Sequence, residues 1–518
     1  MELLKRNIHM DRVRNQNEIQ FTLEEDRNIP DAKPDASMVI SDMGEVTLEE
    51  IRPVTDQVNV RGKLHYQILY ASPEENVPQV ITGEIPFEEQ IHEEGVKAGD
   101  AVTVHATLQD LTTSLINSRK ISIQSIIQLK MQVGELYDED TTVGVQCEEP
   151  IEYSHTGLEV LQTTIQKKDI FRIREELTLP HDLPNIVTIL WKKIRIGKLE
   201  WKPMDGKIGI QGEVHVFVLY ETAEEDNPVQ SYQAVEPFAG TMECQGCKED
   251  GILEILFDSS HRELEIHADH DGEERCFGLE VVLDLAIQMY EREPLELLSD
   301  VYGVTRQVKT RERSAAFRKL AAQTRGRQKL NAHVKCNAGG GVRKILTVDG
   351  NVLVDHQEIR EQGVMVSGSV EVEVFYQSVD REMPYHTVKE SIPFTYTCEA
   401  NGLKTDSVYR LCCHLEEVDA SMLDSEEAEV RTVLFFELLA FEEMEEQVIE
   451  EITMEELDQD RMNALPGIAI YVVQKGDTLW KIGKQYFVPV AAIKEMNNLS
   501  GNEIHPGEKL LIMKSYGN

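Results

Sequence analysis

The chain has 518 residues, enough for about three or four domains of ordinary size, each with its own core. Its 93 Asp and Glu outweigh 52 Lys and Arg for a formal net charge of −41, a field that repels nucleic acid and anionic lipid and favours solubility or a basic partner. The N-terminal MELLKRNIHMDRVRNQNEIQ has no apolar run of signal-peptide length, nothing approaches a membrane span, and eight cysteines lie scattered without pattern, so the expected setting is reducing and cytosolic.

A strand pattern recurs three times along the chain. VNVRGKLHYQILY (58–70), IGIQGEVHVFVLY (208–220) and VMVSGSVEVEVFY (364–376) alternate strictly, so Val58, Val60, Leu64, Tyr66, Ile68 and Tyr70 share one face of the first copy. Period-two patterning of this kind predicts half-buried antiparallel strands. Each copy carries a glycine on the apolar face eight residues before the tyrosine: Gly62, Gly212 and Gly368. Glycine inside a strand marks a bulge or a close approach of another backbone. A Pro-Phe pair follows each strand, at Pro86–Phe87, Pro237–Phe238 and Pro393–Phe394, where proline suits an edge strand or a turn. The first two copies share an upstream element, IPDAKPDASMVI (29–40) and LPHDLPNIVTIL (179–190), which the third lacks. Each closes on another alternating segment, such as KISIQSIIQLKMQV (120–133).

Chemical motifs along these repeats are weak. CQGC (244–247) has no second pair at zinc-finger spacing, although His261, His267 and His270 are near in sequence. AGGGV (338–342) lacks the Lys-Ser/Thr of a phosphate loop, and Cys412–Cys413 sits in an apolar segment that predicts burial rather than reactivity. No hydrolase or metalloprotease signature is present, and neither a metal nor a cofactor is expected.

Two charged stretches flank the third repeat. RQVKTRERSAAFRKLAAQTRGRQK (306–329) reads as a basic connector, either docked on the protein's own acidic surface or solvated, with the overall field arguing against nucleic acid. FEEMEEQVIEEITMEELDQD (441–460) reads as an acidic tether that ends at NALPG (463–467). The expected division is therefore 1–150, 151–305, 306–450 with the basic connector included, a linker at 451–467, and a last module at 468–518.

In that module the charge changes sign: six lysines face four acids, for +2, while the rest of the chain carries −43. YVV (471–473) is a short strand, and KGD (475–477) is a turn after which Asp477 or Thr478 can cap a helix. Leu479, Ile482, Gly483 and Tyr486 give that helix one apolar face. Pro489 opens a second helix, and IHPGEKLLI (504–512) returns as a strand, which completes a βααβ unit. Trp480 lies off the core stripe. It is either a cover for the rim of a small core or an aromatic anchor for a partner.

GDTLWKI, NNL and HPGEKLLI at this spacing resemble a LysM domain over the whole module. That resemblance implies binding of the N-acetylglucosamine backbone of peptidoglycan or chitin in a shallow groove. Gly476, Asp477, Thr478 and Leu479 would line one side, and Asn497, Leu499, Ile504, Pro506 and Gly507 the other. The upstream strands, with their Gly and Tyr followed by Pro-Phe, resemble the SPOCS domain of sporulating Firmicutes, and the arrangement is similar to the SipL-like family of spore coat morphogenetic proteins. The expected fold is mainly β: three tandem β-rich SPOCS-like domains, sandwich or barrel, plus a small C-terminal α+β LysM domain. The resemblance further implies a non-enzymatic scaffold in the mother-cell cytoplasm at the forespore surface. Its LysM would bind the coat-basement ATPase, stage IV sporulation protein A, with other coat proteins as further partners. The alternative is a peptidoglycan-binding protein tethered to spore cortex or cell wall. A wall hydrolase would need a catalytic domain for which no motif is found.

Overall fold

The computed structural model describes residues 2–513 except 76, 227, 406 and 457–465, with backbone alone at 260. Among the described residues, three repeats of six strands precede the C-terminal module. The first comprises β1 (Glu2–Asn28), β2 (Met38–Val54), β3 (Gln57–Ala71), β4 (Gln79–His92), β5 (Ala101–Asn117) and β6 (Lys120–Gln146). The second runs through β7 (Ile151–Thr178), β8 (Thr188–Met204), β9 (Lys207–Glu221), β10 (Val229–Glu243), β11 (Ile252–Ala268) and β12 (Glu274–Gly303). The third runs through β13 (Arg306–Lys335), β14 (Val342–Arg360), β15 (Gly363–Ser378), β16 (Tyr385–Glu399), β17 (Val408–Met422) and β18 (Glu427–Glu456). Each repeat is a sandwich of two three-stranded antiparallel sheets, ordered β2-β3-β4 and β1-β6-β5 in the first and equivalently in the others. The alternating strands sit at the centre of their sheets, where Val58, Val60, Leu64 and Ile68 pack against Ile121, Ile123, Ile127 and Leu129 of β6.

The repeated glycine, phenylalanine and tyrosine belong to one device. Gly62, Gly212 and Gly368 stand directly across from Phe87, Phe238 and Phe394 on the edge strands. On the other side the neighbouring strand changes register at Leu48/Glu50, Gly197/Glu200 and Val354/His356, a bulge facing each glycine. A Cβ on Gly62 would stand 2.5 Å from the Phe87 ring and from the Thr47 carbonyl, so both expectations for the glycine meet at one spot. Eight residues on, the Tyr70 and Tyr220 hydroxyls donate to the carbonyls of Pro34 (3.1 Å) and Pro184 (3.2 Å). Burial pushes both phenols up to about 12. In the third repeat Tyr376 donates to Ala338 O at 3.4 Å. The upstream element missing there as sequence is thus present as backbone, built from AGGGV with positive φ at Gly339, Gly340 and Gly341 instead of prolines.

The three sandwiches meet at a hub. The residue before each repeat tyrosine breaks the alternation, and Leu69, Leu219 and Phe375 turn away from their own cores to pack with Trp191, Phe217 and Tyr385. Away from the hub the long strand pairs β1/β6, β7/β12 and β13/β18 run on as two-stranded ribbons that bundle into a stalk. Its core includes Ile8, Met10, Leu295, Leu297, Phe317 and Val448, with Leu298, Val301 and Ile449 nearer the tip.

This stalk corrects the reading of the charged stretches. Residues 306–329 are not a connector but most of β13, and 441–456 are not a tether but the last part of β18. The two pair antiparallel, and Lys309–Glu455, Lys319–Glu442 and Arg325–Glu437 lie within 2.8 Å across the ribbon. The small inward residues of β13, Ala315 among them, left its alternation masked by charge. The rest of the expected linker, 457–465, lies outside the described residues.

Candidate functional site

The C-terminal module is built from β19 (Ile468–Val472), a helix here named α1 (Leu479–Tyr486), a second, α2 (Val490–Asn497), and β20 (Lys509–Met513), which pairs antiparallel with β19. Val473, Leu479, Ile482, Val488, Ile493, Leu510 and Ile512 form its core. Two glycines at φ +92°, Gly476 and Gly507, make the turns of the two loops, a backbone region that other residues enter at a cost. Asp477 Oδ2 accepts from the Gln474 N–H (2.8 Å) and the Tyr471 hydroxyl (2.7 Å), and these bonds hold its carboxyl below the usual range. Thr478 is the cap, its Oγ1 accepting the Lys481 N–H at 3.2 Å. The Gly507 N–H donates to Val473 O and the Val473 N–H to Glu508 O, so both loops leave the same end of the sheet.

The structure sorts the predicted groove residues into two kinds. Gly476, Thr478, Pro506 and Gly507 are exposed, and Asp477 is half-buried. Leu479, by contrast, is 2% exposed and belongs to the core, on which Leu499 and Ile504 pack half-buried. Asn497 is spent internally: its Nδ2 donates to Ile493 O and Leu511 O, and its Oδ1 accepts from the Leu511 N–H, all within 2.8 Å. It fastens α2 to β20. On the sheet's outer face Ile468, Ile470, Val472, Leu511 and Met513 are all exposed, an apolar strip that the sequence reading did not single out.

Trp480 faces the chain itself. Its Nε1–H donates to Asp300 Oδ2 at 2.8 Å and its ring meets Tyr302 edge-on, 4.9 Å between centroids. Lys484 Nζ reaches the other Asp300 oxygen at 2.6 Å, and the Tyr302 hydroxyl donates to Val488 O at 2.8 Å. Burial raises the Tyr302 phenol. Asp300 and Tyr302 stand near the end of β12, at the stalk tip, far from the module in sequence.

Elsewhere the candidate chemistry resolves into packing. Cys244 and Cys247 are buried in the second repeat's core at the turn after β10. His261 and His267 lie beside Glu263 and Glu265, and among the described residues no group of three or more His, Cys, Asp or Glu is placed to hold a metal ion. The AGGGV loop is occupied by Ser378 and His386, each under 3 Å from a Cβ placed on Gly339. Among the described residues no helix is long and apolar enough to cross a membrane.

Comparison with known families agrees with this anatomy. The family model described as "SipL, SPOCS domain" matches residues 19–116, 185–266 and 341–423, together just over half of the chain and one segment per repeat. The LysM domain model matches residues 471–512. Both are non-catalytic domain families, and the pairing fits a sporulation-related scaffold or a glycan-binding role. A 43-residue stretch, 8% of this chain, is 42% identical to the uncharacterized protein YkzQ of Bacillus subtilis (strain 168), of whose length it spans 57%. No solved structure matches the chain.

Proposed function

The chain belongs to the SipL, SPOCS-domain family, and from that premise we propose that it is a non-enzymatic scaffold for endospore coat assembly whose LysM module docks a protein rather than a glycan. The partner proposed is a coat-basement ATPase of the stage IV sporulation protein A type. The place of action is the mother-cell cytoplasm at the forespore surface, with other coat proteins as candidates for the SPOCS repeats. The observation that carries this reading is where the module's side chains are spent. Leu479 and Asn497, two of the groove residues, serve the fold itself. The side chains that the module does not spend on its own core instead include the apolar strip at Ile468, Ile470 and Met513 and the Trp480 ring, surfaces suited to protein contact. Three repeats joined through one hub add a strongly acidic body on which such a module can be presented.

The test sets the full-length chain against the purified ATPase and, separately, against insoluble peptidoglycan. Saturable binding to the ATPase without sedimentation on glycan is expected. Sedimentation with peptidoglycan and no binding to the ATPase would overturn the proposal in favour of a protein tethered to cortex or wall.

A further inference from the structure

We infer that the LysM module is latched onto the tip of its own stalk, and that this latch competes with any protein partner that takes Trp480. The inference rests on the proposal that the module docks a protein. Its first support is Asp300, whose two carboxylate oxygens take the Trp480 indole N–H at 2.8 Å and the Lys484 ammonium at 2.6 Å. Its second is Tyr302, 3% exposed, which closes against the Trp480 ring and bonds the Val488 carbonyl just beyond α1. The third is Gly483. Glycine inside a helix is unfavourable, yet a Cβ at this position would stand 2.5 Å from the Tyr302 oxygen. The same Cβ would also stand 2.7 Å from the module's own Val488 carbonyl, so the bare position serves the module's turn and leaves room for the tip as well. Charge favours the same closure, because a +2 module faces a body of −43.

The contact is small, and its ion pair is only partly shielded, with Asp300 29% and Lys484 48% exposed at the side chain. Such a contact is weak between separate molecules, but a covalent tether supplies an effective concentration on the order of mM. A partner that needs the covered face binds only the open fraction, so its apparent affinity is lowered by that fraction.

Two measurements on the full-length chain test this. A carbodiimide, which joins an amine to a carboxylate in direct contact, should yield a Lys484–Asp300 cross-linked peptide pair in the chain alone. Absence of that pair overturns the latch whatever the partner turns out to be. Titration with the purified stage IV sporulation protein A-type ATPase should then show Asp300→Asn and Lys484→Glu binding more tightly than the parent, about tenfold for a latch closed nine-tenths of the time. The charge-swapped pair Asp300→Lys with Lys484→Glu should move back towards the parent. Unchanged or weaker binding in the single variants overturns the competition while leaving the cross-link as the record of the contact. If no form of the chain binds the ATPase, the proposed function fails and the competition falls with it.

Discussion

Gly368 and Gly212 occupy the same place in two repeats, yet their surroundings differ in a way that sets the cost of a side chain. A Cβ on Gly368 would meet the Leu353 carbonyl at 2.0 Å, which is backbone and cannot step aside, whereas on Gly212 the nearest atom is the Phe238 ring at 2.8 Å. Overpacking of this sort destabilises by about 1–3 kcal/mol. Gly368→Ala is therefore expected to lower the urea midpoint of its repeat more than Gly212→Ala. Combination with Phe238→Leu should recover part of the loss in the second repeat. Equal losses in both would remove the distinction between backbone and ring. His414 supports a second prediction at this scale. It packs between Phe257 and Phe435, and burial brings its imidazole down to about 4. Between that value and the unfolded value of about 6.5 the unfolded chain binds the proton and the native one does not. Stability should fall as pH drops through that window. His414→Phe should flatten the slope there in thermal unfolding followed across pH.

The elements differ in how much of themselves they showed in advance. The central strands were legible because their apolar residues are large and alternate without interruption, and the glycine across from Phe87 was legible because it recurs at one distance from a tyrosine. The LysM groove loops were legible because turn glycines and a capping threonine have local causes. β13 and the end of β18 were not, because a long ribbon packed on other ribbons needs few large side chains, and Ala315 carries no hydrophobic signal beside Arg311 and Arg313. Nor could the docking of Trp480 on Asp300 be read, since the partners are 180 residues apart. The ribbon's exposed ion pairs are individually worth about 0–1 kcal/mol, but the acidic strand they neutralise would otherwise face itself. Changing Lys309, Lys319 and Arg325 together to Glu should destabilise the third repeat at low ionic strength, with partial recovery in high salt as like charges are screened. Thermal midpoints that do not depend on salt would count against this account.

At the scale of the molecule, three repeats of one design could pack around a hub in either cyclic order unless something told them apart. The hub residues already differ, with Trp191 standing where the first repeat has Ser41 and the third Thr347, and two buried polar networks add a second distinction. In one, Lys193 of the second repeat donates to Glu373 of the third at 2.7 Å while Ser41 of the first donates to the same carboxylate at 2.6 Å. In the other, Arg410 of the third repeat binds Asp11 of the first and Glu254 of the second. Each network takes a different chemical group from each repeat. Burial alone would raise the Glu373 carboxyl, but Lys193 and the Ser41 hydroxyl hold it below the ordinary range. A depressed carboxyl stabilises the fold above the unfolded value of about 4.3, and that stabilisation is lost as pH falls through the lower native value. Lys193→Met leaves Glu373 buried without its cation and should cost about 3–5 kcal/mol. Adding Glu373→Leu removes the stranded charge and should restore most of that stability. If the networks specify order, though, the doubly apolar protein should keep its three sandwiches folded while the cross-links between Lys389 and Asp42, a neighbouring pair joining the third repeat to the first, become weaker. A double variant as unstable as Lys193→Met alone would show that the pair contributes energy to the hub and not merely its geometry.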